Sequence, residues 1–117
     1  MSWARLDDRY DDHPKVRAVW RRSRAAAALH VHAITYCARH ETDGHITRDW
    51  IEDRIPNARE RDAALEALLD TGLFDANGDG GFIVHDYLDF NPSRAEASEK
   101  RRKDSERKAK GRANRVR

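Results

Sequence analysis

Two stretches of this sequence carry cations densely enough to suit a phosphate backbone. Residues 100–117 hold Lys100, Arg101, Arg102, Lys103, Arg107, Lys108, Lys110, Arg112, Arg115 and Arg117. Residues 15–24 hold Lys15, Arg17, Arg21, Arg22 and Arg24 with no acid between them. Lys and Arg that neutralise DNA phosphates release condensed counterions, an attraction that ignores base sequence and falls steeply with salt. Phosphate contact is therefore the first chemistry that these residues propose.

Other chemistries find less material. Cys37 and His40 are three apart at helical spacing with His45 nearby, but they make no CxxC or HExxH pattern, so no metal is expected. His30 and His32, two apart, point in different directions on a helix. Cys37 reads as a small buried hydrophobe. There is no nucleophile elbow, no phosphate-binding loop and no carboxylate pair of arguable separation, so neither catalysis nor a cofactor is expected. His85 and Asp86, adjacent in an expected strand, should face opposite ways. Trp3, Trp20 and Trp50 read as packing residues rather than platforms for bases.

Charge is divided sharply along the 117 residues. Residues 94–117 carry 11 Lys/Arg against 4 Asp/Glu, whereas residues 1–93 carry 12 against 17. A basic tail on an acidic body suits a polyanion or an acidic protein surface. Mean hydropathy is −0.98, and no apolar run reaches the roughly 18–20 residues that a membrane span requires. The N-terminus MSWARLDDRYDD is acidic and lacks an apolar stretch, unlike a signal peptide. A lone cysteine suits a reducing cytoplasm.

The elements that would position these charges can be read in order. Trp3, Leu6 and Tyr10 lie among carboxylates in an expected extended arm against the core. Pro14 suits the first turn of a short helix to about Trp20, with Val16, Val19 and Trp20 on one side. Ser23 caps a long helix from Arg24 to about His40, with Leu29, Ala33, Ile34 and Cys37 at helical spacing. Asp43-Gly44 breaks that pattern before a short extended segment, His45-Ile46. Thr47 caps a helix from Arg48 to Ile55, which packs through Trp50, Ile51 and Ile55. After Pro56, Asn57 with Glu60 resembles a capping box for a helix from Ala58 to about Thr71. Its buried stripe is Ala64, Leu65, Leu68 and Leu69, and Gly72 stands where a C′ glycine belongs.

Leu73-Phe74 and Phe82-Ile83-Val84 flank Ala76–Gly81, rich in residues that tolerate positive φ, and predict a hairpin. His85–Phe90 adds apolar side chains to close the domain. From Pro92 onward no Leu, Ile, Phe, Trp or Tyr remains. The pairs Glu96–Lys100, Glu99–Lys103, Asp104–Lys108 and Glu106–Lys110 still favour a helix, each stabilising it by roughly 0.2–0.5 kcal/mol. Such a helix should fray without a partner.

The order helix, strand, helix, turn, helix, hairpin is that of a mainly α winged helix-turn-helix domain over residues 1–93, followed by the basic tail 94–117. The helix-turn-helix would be Thr47–Thr71 and the wing Leu73–Val84. The outward face of the helix Ala58–Thr71 carries Arg59, Asp62, Glu66 and Asp70. Only its N-terminal end, Arg59 and Arg61 with Arg48 and Arg54 from the preceding helix, suits a phosphate or a guanine edge. The wing tip carries Asp79 and no cation. No heptad zipper is present, and the oligomeric state is open.

Trp3-Ala4-Arg5-Leu6-Asp7-Asp8, Asp12-His13-Pro14-Lys15-Val16 and His85-Asp86-Tyr87-Leu88-Asp89-Phe90-Asn91-Pro92-Ser93 resemble small phage and prophage helix-turn-helix or replication-initiation (replisome-organiser) proteins. The resemblance implies a winged-helix fold and binding to DNA or a replication partner. The expectation is a double-stranded DNA binder acting in replication or transcription control. In the alternative, Asp62, Glu66 and Asp70 form a docking face for a host replication, transcription or defence protein.

Overall fold

A computed structural model describes residues 3–91 and 93–116. It is mainly helical with one small antiparallel sheet. Helices α1 (Pro14–Arg22), α2 (Arg24–His40), α3 (Arg48–Arg54) and α4 (Ala58–Asp70) form the body with strands β1 (His45–Ile46), β2 (Phe74–Ala76) and β3 (Phe82–Val84). A short α5 (Tyr87–Phe90) precedes the long α6 (Arg94–Val116). No helix among the described residues is long and apolar enough to cross a membrane.

Side-chain caps set most of the helix starts. Pro14 opens α1, where the His13 ring accepts from the Lys15 N–H. Ser23 alone separates α1 from α2. Its N–H donates to the Val19 carbonyl and its hydroxyl accepts from Ala26 at 3.1 Å, so one extended residue turns the chain. Thr47 caps α3 and Asn57 caps α4, the latter accepting from the Glu60 N–H at 2.9 Å. Helix α4 stops at Gly72, φ +79°, with Leu73 N–H donating to Leu68 and Gly72 N–H to Leu69. That left-handed residue and its two bonds make a Schellman ending.

The sheet order is β1-β3-β2, with Ile46 opposite Phe82 and Phe74 opposite Val84. Gly81 is needed for this pairing, since a Cβ there would stand 2.6 Å from the Ile46 carbonyl oxygen. The core fills the space between α1, α2 and α4 on one side and the sheet on the other. Val19, Ile51, Leu68 and Phe74 are its largest wholly buried apolar side chains beside Cys37.

Several expectations change in three dimensions. Helix α1 runs on to Arg22, and Trp20 is 54% exposed instead of joining Val16 and Val19. On α4, Ala67 takes the buried place expected for Leu69, which is 38% exposed. A helix turns about 100° per residue, so Ala67 and Leu65 border the Ala64–Leu68 line while Leu69 falls beyond it.

The N-terminal arm does not bury its large apolar side chains: Trp3 is 80% exposed and Leu6 is also exposed. Polar backbone bonds hold the arm instead. Arg5 N–H donates to the buried Asn91 side chain at 2.8 Å, and the Asn91 amide donates back to the Arg5 carbonyl at 3.3 Å.

Past β3 the chain turns instead of extending. Asp86 has φ +59°, and the His85 ring reaches Asp75 at 2.7 Å and Asp86 at 3.2 Å. His85 and Asp86 therefore meet rather than face apart. Tyr87 closes the core, Leu88 is exposed, and the Phe90 side chain lies outside the described residues.

Candidate nucleic-acid interface

Helix α6 carries the densest positive charge, and its root is built with care. Ser93 accepts from the Glu96 N–H at 3.1 Å while its hydroxyl donates to the Glu96 carboxylate at 3.3 Å. Ser93-Arg94-Ala95-Glu96 is thus a capping sequence, a helix-start signal that the chain carries beyond those at Ser23, Thr47 and Asn57. Asp43, in the left-handed turn after α2, accepts from the Arg94 N–H at 2.7 Å. Glu41 takes both terminal nitrogens of Arg101, and that guanidinium holds the Glu41 carboxyl below the usual range. Two acids at the end of α2 therefore fix where α6 leaves the body.

The rest of α6 divides into two unlike halves. In the first, Arg102 bonds Glu99 and Glu106, Lys103 stands 4.0 Å from Glu99, and Arg107 meets Asp104 at 3.0 Å. Of the four acid–base pairs expected at i,i+4, only Glu99–Lys103 forms; arginines reach the acids from other positions. In the second half the acids stop. Residues 107–117 hold six Lys/Arg and no Asp or Glu. Lys108, Lys110 and Arg112 are exposed and make no ion pair among the described residues. The Arg115 side chain and the whole of Arg117 lie outside the described residues. Arg101 and Arg102 are thus engaged; Arg94 and Lys100 in the first half, like Lys108, Lys110 and Arg112 beyond the last acid, form no ion pair among the described residues. With about 1.5 Å of rise per residue, this helix accounts for much of the 64 Å length of the molecule.

The other predicted cations are mostly committed. Arg22 pairs with Asp70 at 2.8 Å and Glu66 at 3.5 Å, tying α1 to α4. The Arg24 guanidinium lies 5.3 Å from the Trp20 ring centre, and Arg17 stands 4.0 Å from Asp12. Arg48 pairs with Glu52 at 3.3 Å, and Arg54 covers Trp50. Arg61 turns inward, donating to the Ile55 and Pro56 carbonyls, because the α3–α4 turn leaves those oxygens unpaired by backbone. It is a brace of the turn. Among the described residues, Arg21 and Arg59 make no ion pair. The acidic face of α4 is also partly satisfied: Glu66 and Asp70 hold Arg22, which leaves Asp62.

Beneath the N-terminal arm, His30 is 5% exposed, and its Nδ1 shares a 2.6 Å hydrogen bond with the Tyr10 hydroxyl. Burial, helped by His13, lowers its pKa from 6.5 to about 4. The unfolded chain protonates this ring near 6.5 and the folded chain only near 4. Between those values the unfolded state binds more protons, so stability falls as pH drops through that window. The loss should reach roughly 3 kcal/mol at its acid end. Urea unfolding from neutral pH downward should show this slope, and His30→Gln should remove most of it; an unchanged slope in that variant would assign the acid sensitivity elsewhere.

No family model, no curated protein and no solved structure matches this chain. Its function must therefore be read from its own residues and their geometry.

Proposed function

We propose that this chain is a DNA-binding protein of winged helix-turn-helix type, with most of its attraction for duplex DNA supplied by the distal half of α6. The observation that carries the reading is the acid-free stretch 107–117 with its six cations, of which Lys108, Lys110 and Arg112 are exposed and without an ion pair among the described residues, on a helix rooted in the body by Asp43 and Glu41. A helix without an apolar face gains little from the body's core, and an exposed run of Lys and Arg is suited to tracking phosphates.

The order α2, β1, α3, α4, β2, β3, with β1 hydrogen-bonded to β3, supports the winged-helix assignment. Base reading through α4 is less favoured. Its exposed side offers Asp62, Glu66 and Asp70 beside a single unpaired arginine, Arg59. Binding is therefore sequence-independent or modestly selective, consistent with contacts to phosphate that position a protein without specifying bases. The sequence resemblance to small phage proteins makes replication or transcription control of a phage or mobile element the setting for this activity.

Fluorescence anisotropy with a labelled mixed-sequence duplex tests the proposal. For about six phosphate contacts, affinity should fall about a thousandfold between roughly 50 and 200 mM salt. Absence of binding at the lower salt would leave α6 without its proposed ligand and sink the reading.

A further inference from the structure

Between the N-terminal arm and the body lies a cavity of about 410 Å³ that the DNA-binding reading does not use. Small-molecule sites typically enclose roughly 300–1,000 Å³, with mostly apolar walls and a few polar groups. Val16, Ile34, Leu73, Val84 and Tyr87 make the apolar wall here, drawn from α1, α2, β3, α5 and the α4–β2 turn.

Two polar features are left over. His30 lines the cavity although it is almost wholly buried. Where the Tyr10 hydroxyl donates to Nδ1, the ring proton is on Nε2, and Nε2 has no hydrogen-bond partner among the described residues. Nε2 keeps some accessible surface, unlike the buried unpartnered Trp50 Nε1 and Arg61 Nε, so an acceptor on a ligand can reach it.

The second feature is the charge around the opening. Of its acids, Asp12 faces Arg17 and Asp86 holds His85, whereas Asp7 accepts the Arg9 N–H at 2.8 Å and forms no ion pair among the described residues. The cations Arg5, Arg9 and Lys15, which also line the cavity, form no ion pair among the described residues. The Lys15 ammonium rests over Gly72, within 3.3 Å of where a Cβ would stand. The carbonyl end of α4 favours a cation there, but no carboxylate answers it.

We propose that this cavity binds a small, largely apolar monoanion bearing a carboxylate. The apolar part rests on the five wall residues, the carboxylate faces Lys15, and an inner acceptor atom takes the His30 Nε2–H. The site is independent of α6, so it stands or falls separately from DNA binding.

Coumarin-3-carboxylate is a suitable probe, because it joins a flat apolar body and a lactone acceptor to a carboxylate; coumarin-3-carboxamide is its uncharged counterpart. Titrations of full-length protein, followed by calorimetry and by amide chemical shifts, should give saturable binding. The shifts should be centred on Val16, Ile34, Leu73 and Val84. The carboxamide should bind about tenfold more weakly, as expected when a charge-assisted hydrogen bond is lost. Lys15→Met lies outside the core; it should weaken the carboxylate about tenfold and leave the carboxamide unchanged.

Equal affinities for the two probes would overturn the proposal. So would the absence of saturation in the millimolar range, or shifts confined to Arg107–Arg112, where the carboxylate would be only a counterion of α6.

Discussion

Cutting the chain after Ser93 is expected to abolish most of its affinity for duplex DNA at low salt and to flatten what salt dependence remains. The excised segment carries 11 Lys/Arg against 4 Asp/Glu, and the body left behind carries 12 against 17. A body of that sign repels a polyanion at long range. Its unpaired arginines, such as Arg21 and Arg59, can offer only a few phosphate contacts, against up to six from the cations of residues 107–117. Each contact contributes about 0.9 to the slope of log affinity against log salt. Full-length protein should therefore show a slope near −5, the truncated form a slope near −1 to −2, and the affinities should differ at least about a hundredfold at roughly 50 mM salt.

The truncated body should still fold. No described side chain of α6 belongs to the buried core, and the helix is tied to the body by surface bonds to Asp43 and Glu41. Circular dichroism melting checks that point. A second variant avoids truncation altogether: replacing Arg107, Lys108, Lys110 and Arg112 by Gln keeps residues of good helix propensity and removes only charge. It should reproduce most of the loss. Undiminished affinity in both variants would move the DNA site off α6 and back to the body.

Phe74→Ala is expected to cost about 3–5 kcal/mol of folding stability, as large-to-small changes at fully buried aromatic positions do. Phe74 is 1% exposed at the start of β2, where α4, α2 and the sheet meet. Its ring centre lies 6.3 Å from that of Phe82 and 6.1 Å from that of His30. The hole would open under the β2–β3 hairpin and beside the His30–Tyr10 pair, so the arm should loosen as well. Domains of this size are stable by about 5–15 kcal/mol, so one substitution removes a large share. Urea unfolding followed by circular dichroism measures it. A loss below about 1 kcal/mol would mean that the ring does not occupy the centre of the core.

The local signals in this sequence were legible because each acts over a few residues. Pro14, Ser23, Thr47 and Asn57 mark helix starts, Gly72 marks a stop, and the Asn-Gly-Asp-Gly-Gly run marks the hairpin. A cap or a left-handed turn is decided by bonds within one turn of chain, and all of these elements form where their residues indicate. The charge division between body and tail is likewise a property of composition, with no folding needed to see it.

Which of those charges are unpaired is a different kind of question. Arg22 meets Asp70, 48 residues away, and Arg101 meets Glu41, 60 residues away. Arg61 spends its guanidinium on the turn before it. Trp20, on the expected apolar side of α1, is left outside because α2 covers only part of that side. His85 meets Asp86 because a left-handed residue ends the strand. No periodicity encodes such pairings, since they depend on how helices cross and where turns aim the chain. Residue types alone specify the four body helices, the hairpin and the basic tail, but not the turn at His85-Asp86 or the short α5 that follows it. Only the tertiary structure decided which cations remain for a ligand, and that a cavity lined by His30 and Lys15 lies beneath the arm, because ion pairing and burial are set by distances in space.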